Sequence, residues 1–319
     1  MDNYFHFDSL VWHWPIAIYL FAVGISSGMV LMAIIIKRWV ASDAAQSANV
    51  MKATAITAPL MLFIGLGILV FDLAKPLSFW RVMVFYNPTS IMSMGVALFQ
   101  VYSIVLFLWI FSTYQQAFSS FGKRVFRQHS KAQRFYLSLL NTAAGFGKKM
   151  DLVLFFLAIL LGVYTGFLLS ALKSFPMLNN PLLPVLFLNS GVLSGIAMLL
   201  VICIGIFKEP MHSVSMKFVH KIELPLILFE GLLLISFFTG LYFGGGQKMV
   251  ASISALSGFW GSVFWLGVVG LGIILPLLVT QLPAGKQNKP VMLTMSAIAL
   301  LSVLTLRVFI LYAGQLTIA

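Results

Sequence analysis

The chain has only eight acidic residues among 319, and several fall inside long apolar stretches. A charged side chain in hydrocarbon is costly, so one that persists there marks a site by default. Asp72 closes the second apolar stretch, Asp151 opens the fourth, Glu223 and Glu230 stand in the sixth, and Arg307 lies deep in the eighth. Glu223 and Glu230 are two helical turns apart, so they share one face about 10 Å apart along the axis. Stacked carboxylates suit a proton path, because burial raises their affinity for protons. The plain alternative is a pair held by hydrogen bonds or by the bases that precede it. Pro225, between them, loosens the helix near its start. Asp151 is close enough to a helix N-terminus for dipole compensation to explain it. A buried guanidinium needs an anionic or polar partner, and Asp72, expected on the same side, is the obvious one for Arg307. A structural ion pair is the bland reading of those two.

Tyr19 and Tyr164 fall at a similar expected depth. Membrane tyrosines are usually belt residues at the interface. The four together, Tyr19, Asp72, Tyr164 and Arg307, place phenols, a carboxylate and a guanidinium in one apolar layer. Such a layer could bind a quinone, with phenols bonding its oxygens and the carboxylate taking a proton. The five histidines, His6, His13, His129, His212 and His220, lie outside the apolar stretches or at their edges. A membrane b-type haem needs axial histidines within helices, so none is expected. The single cysteine, Cys203, excludes a disulfide scaffold, a zinc site and a cysteine-ligated iron–sulfur cluster. No Walker or dinucleotide motif is present. If the chain handles electrons, it passes them from a quinone to a partner docked on its outer face.

These residues must be positioned by membrane helices. The chain is 61% hydrophobic and 9% charged, with a mean hydropathy of +1.02, whereas a soluble domain is about a quarter charged. That excludes a soluble enzyme, a disordered chain and a coiled coil. Eight segments are long enough to cross a bilayer: about 15–37, 55–73, 92–114, 151–172, 183–207, 222–244, 259–281 and 291–313. The expected architecture is an all-α integral membrane protein, one polytopic domain over 1–319 built as two four-helix bundles. Tyr164-Thr165-Gly166 and Thr239-Gly240-Leu241-Tyr242 hint at related halves. Paired glycines at Gly24 and Gly28, Gly162 and Gly166, and Gly191 and Gly195 suit close helix packing. Fifteen of the 20 Lys+Arg fall in loops on one side, so both termini are expected outside and the loop 115–150 in the cytoplasm. That loop mixes Phe126, Phe135, Tyr136, Leu139 and Leu140 with bases, as a helix lying on anionic lipid would. The net charge of +12 therefore implies lipid head groups and no nucleic acid. No base precedes Lys37, so the n-region of a cleaved signal peptide is missing.

Two stretches carry a resemblance. Residues 11–28, V-W-H-W-P-I-A-I-Y-L-F-A-V-G-I-S-S-G, and 71–95, F-D-L-A-K-P-L-S-F-W-R-V-M-V-F-Y-N-P-T-S-I-M-S-M-G, resemble signatures of the polysulfide reductase membrane-subunit family, also called NrfD-like. The second reads Asp-Leu-Gly-Arg-Pro in many members, and here Ala74 and Lys75 replace Gly and Arg. The span-4 Y-T-G fits as well, and the likeness covers essentially the whole chain. It implies a haem-free, quinone-reactive subunit in the bacterial cytoplasmic membrane, with termini in the periplasm. Menaquinol would be oxidised and its electrons passed to a periplasmic, ferredoxin-like iron–sulfur subunit, then to a molybdopterin catalytic subunit acting on polysulfide or a related sulfur compound. A dimer of such complexes is compatible with it. By motif the family's functional positions fall on Tyr19, Asp72 and Tyr164, and by spacing on Glu223, Glu230 and Arg307. Some members carry His where Tyr19 stands. A proton- or solute-coupled transporter without redox chemistry would use the same intramembrane charges. A purely structural anchor would not keep them.

Overall fold

A computed structural model of the chain describes residues 4–41, 43–72, 76–125, 134, 138, 145, 147–281 and 288–318. The apolar residues expected on the surface of the loop 115–150 lie outside these. Among the described residues eight helices are long and apolar enough to cross a membrane: spans 1 to 8 are Trp14–Val40, Ala44–Phe71, Ile91–Thr113, Gly147–Ser170, Leu183–Ile206, Val214–Phe243, Gly258–Thr280 and Lys289–Ala313. Helices satisfy their own backbone groups, which hydrocarbon cannot. Spans 1, 5 and 8 start on prolines in their first turn, where a missing N–H costs nothing. Spans 3 and 6 start on serine caps, Ser90 and Ser213. Spans 2 and 6 begin well before the apolar stretches do, at Ala44 and Val214. His220, expected in a loop, therefore lies in the second turn of span 6.

The eight helices form two four-helix halves with matching contacts. In the first half, span 1 packs on spans 2 and 4, and span 3 on span 4. In the second, span 5 packs on spans 6 and 8, and span 7 on span 8. Span 1 is the central post. Its most apolar stretch is 83% buried against 17% for span 7. The halves meet where spans 1 and 5 cross through Gly24 and Gly28 against Gly191 and Gly195. A Cβ on Gly28 or Gly195 would run into the facing backbone, so this small-residue contact sets the approach of the two halves. The same five-residue pattern, G-x-x-S-G, occurs on both helices. Ser27 donates to the Gly24 carbonyl (3.0 Å) and Ser194 to the Gly191 carbonyl (2.8 Å). Pro59 and Pro225 stand inside spans 2 and 6, and spans 1 and 5 both end in a π-helical turn. Span 8, the counterpart of span 4 by its contacts, carries Tyr312-Ala313-Gly314 at its end. The span 6 sequence Thr239–Tyr242, which suggested the repeat, is not on the equivalent helix.

Both termini lie on one face. Gln315, fully buried, accepts from the Val11 and Trp12 amides (2.9 Å each) and donates to the Trp12 and Leu311 carbonyls (3.0 and 2.9 Å). Tyr4 stacks on Phe259, and Phe5 lies edge-on to Trp260 and Tyr312. At the opposite face, buried Asp151 accepts from Lys37 (2.8 Å) and from the Trp109 indole (2.7 Å). Its helix begins at Gly147, a turn earlier than expected. Asp151 is thus satisfied by spans 1 and 3 more than by a helix dipole. Lys37, expected at the end of the first apolar stretch, belongs to the π-helical end of span 1.

Candidate functional site

The two phenols singled out from the sequence come together. Tyr19, in the second turn of span 1, and Tyr164, two turns from the end of span 4, are both buried near the face that carries the termini. The Phe99 ring of span 3 lies between them, 5.9 Å from each, tilted to Tyr19 and edge-on to Tyr164. Gly95, one turn earlier on span 3, leaves the space that the Tyr164 hydroxyl occupies. Neither phenol hydroxyl has a hydrogen-bond partner among the described residues. Tyr102, one turn along from Phe99, differs. It is fully buried, its hydroxyl is 3.2 Å from that of Ser26, and it donates to the Ser26 carbonyl at 3.4 Å. Buried polar groups are nearly always paired, so Tyr102 reads as structure and the other two phenols as groups kept for something else.

Asp72 stands apart from these rings. It is the C-terminal cap of span 2 and is exposed. Gly65 packs against the Tyr19 carbonyl, and Asp72 is two turns beyond it, roughly 10 Å along the axis. Asp72 is therefore nearer the end of span 2 than the level of Tyr19. Among the described residues it has no ion-pair partner, and Arg307 in particular is not one.

Arg307 lies deeper and in the other half. It is fully buried beside Gly24, more than a turn past Tyr19, at the crossing of spans 1 and 5. Its Nη2 donates to the Phe187 carbonyl (3.0 Å), and the guanidinium lies 3.7 Å over the Phe187 ring. Nε and Nη1 have no partner among the described residues. The anion within electrostatic reach is Glu230 of span 6, itself buried. The expected Asp72–Arg307 pair is absent among the described residues, and the acid that acts on Arg307 electrostatically is Glu230. Span 8 tilts its guanidinium toward the inter-half crossing, which a depth count along a straight helix cannot show.

Glu223 faces the opposite end. Its carboxylate is 3.3 Å from His220 Nδ1, and His220 Nε2 is 3.2 Å from the Met292 sulfur. These residues line a cavity of about 180 Å³ between spans 5, 6, 7 and 8, with Ile227 and the buried Ser296 further along. Glu223 and Glu230 therefore lie two turns apart on the helix that joins the cavity to the level of Arg307. Asn189 of span 5 donates to the Leu226 carbonyl (3.1 Å), just past Pro225. One buried acid was passed over in the sequence. Glu209, in the turn between spans 5 and 6, accepts from Ser213 (2.7 Å) and leaves its second oxygen unpaired among the described residues. Phe99 was missed as well, since one of 29 phenylalanines in an apolar helix gives no signal. Gly95 could have been found, because it closes the Ser-x-Gly of the second signature.

Fold and site together define a multi-pass helical membrane protein with two phenols packed around a phenylalanine in one half and a buried glutamate within electrostatic reach of a buried arginine in the other. Over residues 2–319 the sequence matches the family described as polysulphide reductase, NrfD, and the chain belongs to that family. It is 45% identical over 316 residues to Protein NrfD of Escherichia coli K12, covering 99% of this chain and 98% of that protein. It is 43% identical to the NrfD homolog of Haemophilus influenzae, covering 99% and 98%. It is 39% identical to the C chain of the polysulfide reductase of Wolinella succinogenes, covering 97% and 96%. A membrane-subunit role in a reductase complex follows from this membership.

Proposed function

We propose that the chain is the quinol-oxidising membrane subunit of a bacterial respiratory reductase. The observation that carries this is the pair of buried phenols, Tyr19 and Tyr164, which flank Phe99 and whose hydroxyls have no protein partner among the described residues. A flat, two-oxygen ring would lie against this aromatic cluster. Aromatic walls take its faces, and phenols bond its oxygens. When bound, a quinol such as menaquinol supplies two electrons and two protons. Tyr19 and Tyr164 would hold and orient it. Asp72, exposed at the end of span 2, would accept the two protons one after the other and release each to the outer side. Its distance from Arg307 leaves it free to do so.

Electrons would leave to a periplasmic iron–sulfur subunit docked on the face that carries the termini, then to a molybdopterin catalytic subunit. The terminal acceptor in this reading is polysulfide or a related sulfur compound, chosen by the catalytic partner. Membrane localisation would be the inner membrane, with the termini in the periplasm, as the distribution of basic residues favours. Glu223, at the cavity near the cytoplasmic end, and Glu230, beside Arg307, would carry protons between the inner side and the middle of the membrane. Arg307 would hold Glu230 ready to ionise.

The test is quinol oxidation by the assembled complex carrying Asp72→Asn. The reading expects a slower rate at saturating quinol with little change in assembly. An unchanged rate would remove Asp72 from the proton path.

A further inference from the structure

The turn between spans 2 and 3, Asn87-Pro88-Thr89-Ser90, and the Ser93-x-Gly95 that follows have no part in the proposal above. Their geometry is nonetheless specific. The Asn87 side chain accepts from the Thr89 amide (3.1 Å) and hydroxyl (2.7 Å), which closes the turn on itself. The Asn87 amide donates to the Ser93 hydroxyl (2.8 Å), and the Ser93 amide to the Ser90 hydroxyl (3.4 Å). Ser93, buried, thus staples the turn to the first turn of span 3.

Two residues on is Gly95. Positive φ occurs among the described glycines only at Gly245, Gly246 and Gly258, so no backbone conformation requires glycine at 95. Alanine would serve a helix better there. What requires glycine is space. A Cβ at 95 would fall on the Tyr164 hydroxyl and the ring carbon that bears it. Phe99, on the same helix face one turn later, closes the other side of that ring.

We infer that the segment Asn87–Gly95 is a positioning element for Tyr164, with Gly95 as the residue that sets where the phenol hydroxyl points. The hydroxyl is held by shape, against bare backbone on one side and an aromatic edge on another. None of its hydrogen-bonding capacity is spent on the described residues, so all of it is left for the ligand. This inference rests on the reading of Tyr164 as a quinol ligand, but its geometric half can be tested separately.

The experiment uses the assembled complex with 3-fluorotyrosine placed at 164, read by fluorine NMR, together with quinol steady-state kinetics on the unlabelled complex. Gly95→Ala should shift the fluorine resonance and raise the quinol KM about two- to tenfold, the worth of one neutral hydrogen bond, with a smaller effect on kcat. Ser93→Ala, a milder change that keeps the space at 95, should shift the resonance in the same direction by less. In a Tyr164→Leu background, where the side chain no longer reaches position 95, Gly95→Ala should add nothing to the KM. An unmoved resonance in Gly95→Ala would overturn the inference. So would a KM effect of Gly95→Ala that persists undiminished beside Tyr164→Leu. A shifted resonance with no KM change in Gly95→Ala or Tyr164→Leu would leave the positioning role standing and reject Tyr164 as a quinol ligand.

Discussion

Tyr164→Phe and Tyr102→Phe remove the same atom from two phenols of neighbouring helices, and the structure expects opposite consequences. Tyr102 is sealed and bonded to Ser26 at 3.2 Å. Losing its hydroxyl removes both buried hydrogen bonds to Ser26 and strands the Ser26 hydroxyl, costing about 1–2 kcal/mol of stability. Tyr164 keeps its edge contact with Phe99 at 5.9 Å as phenylalanine, and its hydroxyl gives up no protein partner among the described residues. Its stability cost should lie within about 0.5 kcal/mol of zero, the range of changes that break no named interaction. Function should invert the order. One neutral hydrogen bond to a ligand is worth about 0.5–1.5 kcal/mol, and about 1.4 kcal/mol is tenfold. Tyr164→Phe should therefore raise the quinol KM between about two- and tenfold, while Tyr102→Phe leaves it alone. The assays are thermal unfolding of the detergent-solubilised complex and steady-state quinol oxidation. The reasoning is refuted if Tyr164→Phe lowers the thermal midpoint as much as Tyr102→Phe while the KM stays unchanged. In that case the Tyr164 hydroxyl is structural.

Other outcomes follow from the packing. Gly28→Ala places a methyl on the Gly191 backbone and should cost about 1–3 kcal/mol of stability, read as a lower thermal midpoint and loss of monodispersity in detergent. Arg307→Met leaves Glu230 buried with no cation in reach among the described residues. It should cost about 3 kcal/mol, and Arg307→Met with Glu230→Gln should recover part of that in a double-mutant cycle, whereas strict additivity would show the two groups uncoupled. Asp151→Asn weakens the contact of spans 1, 3 and 4. Lys37 is about a third exposed and water replaces part of its pairing, so a loss of about 1 kcal/mol is expected, with a change in Trp109 fluorescence as the marker. Gln315→Leu keeps the volume but orphans the Val11 and Trp12 amides. It should speed hydrogen exchange in residues 4–12, and unchanged exchange would show that aromatic stacking alone holds that segment.

Much of the fold could be read from apolar length alone, because a helix is what hydrocarbon permits. The ends of spans 2 and 6 could not. Polar residues such as Lys52 and His220 continue a helix as long as they face water or a cavity, and hydropathy does not register that. The two phenols were legible because Tyr19 and Tyr164 share a depth. The pairing of Arg307 was not, since depth along an axis says nothing about which neighbour a helix faces. Asp72 was the nearest acid by that count, yet Glu230 on span 6 is the one whose charge acts on the guanidinium. The repeat was partly legible. G-x-x-S-G on spans 1 and 5 was read only as close packing, although the shared Ser27 and Ser194 bonds make it the sign of two related halves. Gly95 was visible as a motif letter without a cause. The cause is the Tyr164 hydroxyl, which comes from a residue far along the chain.

The central claim is that the quinol binds at the cluster of Tyr19, Phe99 and Tyr164. The most direct measurement is photolabelling of the complex in proteoliposomes with an azido-substituted quinone, followed by peptide mapping of this subunit. Label on peptides of spans 1, 3 and 4 containing these residues, competed away by excess quinol, is the predicted result. Label confined to spans 5 to 8, or none that quinol displaces, would contradict it.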